Sequence, residues 1–204
     1  QGSTNQQRSD EAATSPTSPG LFVINQLLEE QGLAIEDMEF ISLSTPNRIQ
    51  AFATDSIDIT ALPEPHLTMA LDEGHITVLK SAGHARPFFQ QGVIAFGPNL
   101  LEKDPEAGQA FMNAYLQGVR QVMEGATGRN LDIVAQYTSL DRVFLKRLCW
   151  PTYRLDGEIN VQSVMDLQSW FNTRGLIDRI VPARDFWEPR FVEQAKKTLG
   201  SKNQ

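Results

Sequence analysis

The chain contains a single cysteine, three histidines and no run of apolar residues close to the ~20 that a membrane-spanning helix needs. One thiol cannot close an internal disulfide, and Cys149 lacks His or Cys neighbours at the spacing of a zinc or iron site. Lying beside Trp150 after an apolar stretch, Cys149 is expected to be a packed thiol. Basic residues are also scarce: 18 Lys and Arg face 25 Asp and Glu, a net charge of -7, and the pI is near 5.0. Binding to phosphate backbones or anionic membrane surfaces requires a concentrated basic face, and no Lys/Arg cluster exists, so nucleic acid and membrane surfaces are excluded as expected partners. No charged segment followed by an apolar one opens the sequence, so a secretion signal, where the protein has one, is expected to be gone from this chain. The sequence offers no nucleophile paired with a base, no metal-ligand set and no glycine-rich phosphate loop, so no catalytic activity and no cofactor are expected.

What remains is the composition of an ordinary globular protein: 204 residues, 41% hydrophobic and 21% charged, enough for one large or two small domains. Residues 1–19 are rich in Ser, Thr, Gln and Pro with few apolar side chains, and read as a flexible polar leader that makes few contacts. From Leu21 the pattern changes. Phe22, Ile24, Leu27 and Leu28 recur at helical spacing before Gly32. Residues 38–43 then read as a strand, Thr45-Pro46 as a helix start, 57–62 as a second strand, Pro65 to Leu71 as a helix closed by Gly74, and 76–79 as a third strand. Such alternation predicts a parallel sheet flanked by helices. Residues 92–96 read as a fourth strand. From Pro105 onward the apolar spacing is helical, over 105–123, 131–137, 140–148 and 161–171. The division expected is a leader over 1–19, an α/β lobe over 20–97 and a mainly helical section over 98–204.

Three places could meet a ligand. Thr17, Ser18 and Gly20 precede a helix, whose free N–H groups and dipole favour an anion; the competing reading is a capped helix behind a Pro/Ser linker. Glu64, between Pro63 and Pro65, stands at the carboxyl end of a strand, the edge at which open α/β sheets gather ligands; it could equally cap the following helix. His84 and Arg86 form the third place, against a plain surface loop as the alternative. His66, His75 and His84 lie nine residues apart, a spacing without a coordination geometry, and read as unrelated. Trp170 shares an apolar stripe with Val164, Leu167 and Phe171 and is expected in the core, whereas the role of Trp187 is left open.

The order of these pieces resembles a known family. The strand Ile57-Asp58-Ile59 with its Glu64-Pro65 ending, Gly92-Val93-Ile94-Ala95, Asp104-Pro105-Glu106 with Phe111, Tyr137-Thr138-Ser139-Leu140-Asp141 and the block from Asp156-Gly157 to Gly175 are similar to the extracytoplasmic solute-binding proteins of ABC importers. The similar branch is the SsuA/THI5-like one, which takes sulfonates, taurine, nitrate and thiamine precursors. The resemblance implies a type 2 periplasmic-binding-protein fold, a three-layer parallel-sheet lobe followed by a helical section, with the first lobe incomplete and the strand before Gly20 missing. It further implies a small anionic or heteroaromatic solute bound by lobe closure, an ABC permease as partner and an extracytoplasmic location. Pro63 stands where relatives carry a tryptophan, which removes a stacking surface. Two readings of the short chain follow: a piece of a longer binding protein, which is preferred, or a structural or accessory subunit of a larger assembly built on a truncated scaffold. The thiamine-pyrimidine synthases share the scaffold but need a cysteine-rich iron motif that one cysteine cannot supply.

Overall fold

Ser18 has extended backbone angles (φ -82, ψ 144), and its Oγ accepts a hydrogen bond from the Leu21 N–H at 3.2 Å. With Pro19 at the first helical position this is a strong helix start, and α1 runs over Pro19–Glu30. The structure is a computed structural model that describes residues 11–14 and 18–200. Two compact units are formed, one from residues up to Phe89 together with Asp166–Ile180, the other from Gln90–Met165 together with Val181 onward. The chain returns to the first unit for fifteen residues late in its course, Asp166–Ile180.

The first unit is built on three parallel strands, β1 (Glu11–Ala13), β2 (Glu39–Ile41) and β3 (Ile59–Thr60), in the order β2-β1-β3. Glu11 is in register with Glu39 on one side, and Ala12 with Ile59 on the other. Helix α1 links β1 to β2, and α2 (Thr45–Ala53) links β2 to β3. Successive side chains of a strand point to opposite faces. Accordingly Phe40 packs with Leu21, Ile24 and Leu28 of α1, while Ile41 packs with Ala51 of α2 and Ile57. One helix covers each face. Helices α3 (His66–Glu73) and α4 (Ala82–Ala85) follow, and Gly74 closes α3 in the left-handed region at φ 77, which glycine adopts without steric penalty.

The second unit is helical in all its regular elements among the described residues. Its core joins Met112 and Leu116 of α5 (Pro105–Val122) to Phe191, Val192, Ala195 and Leu199 of α10 (Arg190–Gly200). Helices α6 (Gly128–Thr138), α7 (Arg142–Leu145) and α9 (Ala183–Phe186) complete it, and α8 (Val161–Thr173) divides its residues between the two units. Buried Asn130 is fully occupied: its Nδ2 donates to the carbonyls of Gln121 (2.7 Å) and Gly125 (2.8 Å), and its Oδ1 accepts from Gln121 Nε2 (3.0 Å).

Four expectations are corrected. The strand held to be missing before Gly20 exists: Glu11–Ala13, placed in the leader by composition, is the central strand of the sheet. A central strand is held through its backbone on both edges, so it needs no apolar signature of its own to pair. The remaining leader residues, 1–10 and 15–17, lie outside the described residues. Residues 76–79 and 92–96 carry no strand assignment, and Val78, Leu79, Val93 and Ile94 are exposed. Both runs have strand composition, but a strand exists only where a partner edge accepts its hydrogen bonds. Cys149 is exposed rather than packed. Trp170 and Trp187 both pack against apolar clusters, as expected for the first.

Candidate functional site

The carboxyl ends of the three strands gather the first two expected places. In the order β2-β1-β3 the chain leaves β1 toward β2, then crosses back to the far side of β1, so the loops after β1 and β3 diverge at a topological switch point. Residues 14–18 follow β1 and residues 61–65 follow β3. The Thr14 N–H continues the ladder to Ile41 O at 3.2 Å, and its Oγ1 is hydrogen-bonded to Ser18 Oγ at 2.8 Å. Thr14 is buried, so this bond fixes the hydroxyl that caps α1.

Gly20 brings the start of α1 against the segment after β3. A Cβ built on Gly20 would lie 2.8 Å from Ala61 Cβ and 3.3 Å from Ser18 Oγ, so close an approach that glycine alone fits. Arg48 fastens the same rim from within α2. It is buried, its Nε donates to Leu43 O (3.0 Å) and its Nη1 to Ala61 O (3.1 Å), and burial lowers its pKa from the ordinary arginine value. The backbone following β2 is thereby tied to the backbone following β3. Sequence reasoning missed Arg48, because no local signal marks an arginine on a short helix as buried.

The Glu64 carboxylate receives Thr68 N–H at 3.1 Å and Thr68 Oγ–H at 3.0 Å, which places it over the first turn of α3 as a cap. His84 sits exposed on α4, its Nδ1 2.8 Å from Ser81 Oγ. Arg86 forms an ion pair with Asp166, and its guanidinium lies 5.0 Å above the Phe22 ring of α1. Phe22 in turn stacks with Phe89 at 5.7 Å and meets Trp170 edge-on at 5.4 Å. Asp166, distant in sequence, was not legible as the partner of Arg86. Thr17 lies outside the described residues. The structure thus brings Ser18 and Gly20 to one switch point with the loop that leads into Glu64, and sets His84 and Arg86 on the element packed along α1.

The start of α1 lies at a switch point beside the Thr14 and Ser18 hydroxyls; Pro19 has no N–H and the Leu21 N–H is bonded to Ser18 Oγ, so Gly20 carries the remaining N–H of the first turn, at the helix end whose dipole favours negative charge. Among the described residues no group of three or more His, Cys, Asp or Glu side chains could hold a metal ion.

The fold is shared with solved ligand-binding components of ABC-type import systems. Superposition on such a component from Staphylococcus aureus, solved with zinc bound, gives a TM-score of 0.76 at 17% identity over 94% of this chain and 65% of that one. A protein from Bordetella bronchiseptica aligns at a TM-score of 0.63 and 17% identity, over 98% and 67% of the two chains. A sulfonate-binding protein SsuA of a putative sulfonate ABC transporter from Methylobacillus flagellatus aligns at 0.57 and 15%, over 96% and 64%. The chain therefore spans about two thirds of the length of these structures. In sequence, residues 11–126 match the model of the NMT1/THI5-like family, more than half the chain, and the protein belongs to that family. No curated protein matches the sequence.

Proposed function

We propose that this chain is the substrate-binding component of an ABC importer, or part of one, and takes a small anionic or heteroaromatic solute at the carboxyl rim of the first unit. The observation that carries the reading is the switch point between β1 and β3, where the Ser18-capped start of α1 abuts Ala61 through Gly20. In this reading the anionic group sits on the Gly20 N–H at the start of α1 and the Ser18 hydroxyl, with Glu64 bordering the far side of the loop; Thr17, the third residue expected there, lies outside the described residues. His84 and Arg86 act from the flank, and a bound anion competes with Asp166 for Arg86. Glu64 and Thr68 together orient the loop after β3.

The type 2 arrangement of lobes, retention by lobe closure, delivery to an ABC permease, an extracytoplasmic location and the absence of catalysis belong to the same proposal, supported by the family and the neighbouring folds. Titration calorimetry with taurine, ethanesulfonate, nitrate and an aminopyrimidine tests it. The expected result is saturable binding of at least one of them, weakened about tenfold or more by Ser18→Ala, since a charge-assisted hydrogen bond contributes roughly 1.5–3 kcal/mol. Binding unaffected by Ser18→Ala and Glu64→Gln together would remove the rim from consideration.

A further inference from the structure

Asp156-Gly157 is the only Asp-Gly pair in the chain, and no Asn-Gly pair occurs. Glycine has no Cβ to shield its amide nitrogen, so that nitrogen can reach the side chain before it. In the reaction open to such a pair, Gly157 N attacks Asp156 Cγ: the N–Cγ bond forms, a Cγ–O bond breaks, and the oxygen leaves as water with the amide and acid protons. Water then opens the cyclic imide at either carbonyl. Opening at Cγ restores aspartate, whereas opening at the main-chain carbonyl leaves isoaspartate, whose backbone runs through the side chain and is one methylene longer. The attack requires a neutral carboxyl group, since a carboxylate is a poor electrophile, and a Gly157 nitrogen free to approach Cγ.

The second unit restrains both. Arg154 grips the Asp156 carboxylate by two parallel bonds, Nε to Oδ1 at 3.0 Å and Nη2 to Oδ2 at 2.6 Å, and the Glu158 N–H donates to Oδ1 at 3.0 Å. Donors on both oxygens favour the charged form, which resists attack. The Gly157 N–H donates to Arg154 O at 3.1 Å, closing a turn that has glycine in its last position at φ +71. On its other side Gly157 lies against the core, where an added Cβ would be 2.5 Å from Leu116 Cδ2, a side chain 1% exposed. A main chain lengthened by a methylene here would press on Leu116. The side chains of Arg154 and Asp156 are 48% and 41% exposed, so the restraint lies in these bonds and not in exclusion of water.

We propose that Asp156 is a site of spontaneous isoaspartate formation, held closed in the folded protein by the Arg154 fork and the turn from Arg154 to Gly157. The folded chain reacts only through an opened turn, so its rate falls by the open fraction. The test incubates the 204-residue chain at mildly acidic pH, folded and unfolded in guanidinium, and follows isoaspartate by tryptic mapping. The product peptide keeps its mass and changes its retention, and fragmentation locates the linkage at Asp156. The folded chain should form isoaspartate there about tenfold or more slowly than the unfolded one. Arg154→Gln should speed the folded chain about threefold, the scale of one exposed ion pair. Arg142→Gln, which removes the surface pair with Asp132 in the same unit, should leave the rate unchanged. Equal rates in folded and unfolded chains, no acceleration by Arg154→Gln, or equal acceleration by Arg142→Gln would overturn the proposal. The comparison of folded with unfolded chain decides the matter even where a variant fails to fold.

Discussion

A methyl group at Gly20 would meet Ala61 Cβ at 2.8 Å, closer than real Cβ atoms approach. Gly20→Ala is therefore expected to lower stability by about 1–3 kcal/mol, the usual cost of overpacking, read as a lower urea midpoint with an unchanged slope. A wild-type midpoint would show that α1 yields at its start. Gly157 is constrained twice: its φ is +71, and an added Cβ would lie 2.5 Å from Leu116 Cδ2, a side chain 1% exposed. Asp156 next to it has its pKa lowered chiefly by its hydrogen bond from Arg154, with burial opposing and the Glu158 N–H assisting. Because the folded value lies below the unfolded one, the contribution is complete above the unfolded carboxylate value of about 3.9 and is lost as pH falls through the folded value. Unfolding followed against pH should show Asp156→Asn flattening the loss of stability below about pH 4, where that carboxylate protonates, while leaving the slope at neutral pH unchanged. At this scale the sequence disclosed Ser18 as a cap because a hydroxyl, a proline and an apolar helix stand in consecutive order. It did not disclose Asp166 beside Arg86 or Arg48 on Ala61 O, since nothing local marks which distant backbone or carboxylate a long cationic side chain will reach.

Helices were more legible than strands: the runs 38–43 and 57–62 do contain β2 and β3, but β1 was missed and 76–79 and 92–96 form no strand, for one physical reason. A helix satisfies its own backbone, so its ends carry local chemistry: Asp104 caps α5 by accepting from Ala107 N–H at 2.9 Å ahead of Pro105, and Asp141 caps α7 by accepting from Val143 and Phe144. Asp104→Ala is expected to cost about 1 kcal/mol, measured by thermal unfolding monitored at the helical circular dichroism band. No change would mean that packing of α5 against α10 alone fixes the helix start. A strand depends on a neighbour. Glu-Ala-Ala at 11–13 forms one because β2 and β3 flank it, whereas the more apolar Ile76-Thr77-Val78-Leu79 stays outside any sheet. The β-α-β-α-β alternation was right in kind and displaced by one strand along the chain. The β3–α3 loop was placed correctly because Pro63 and Pro65 bracket it, and the two hydrogen bonds that Thr68 donates to the Glu64 carboxylate match its capping alternative.

For the whole molecule, the charge of -7 and the pI near 5.0 put a minimum of repulsion close to pH 5. Exposed Leu79, Phe88 and Tyr137, at 77%, 82% and 81% of their accessible surface, add apolar contacts for association. Light scattering at low ionic strength should therefore peak near pH 5 and fall steeply by pH 7; a flat profile would show that charge repulsion does not govern association. The order of the sheet has a further consequence, for synthesis. Because Glu11 pairs with Glu39 and Ala12 with Ile59, the middle of the sheet leaves the ribosome before either edge, and each later strand meets a neighbour already outside the exit tunnel. The first unit can thus assemble from its centre outward while the chain is still being made, until its last stretch, Asp166–Ile180, emerges after most of the second unit.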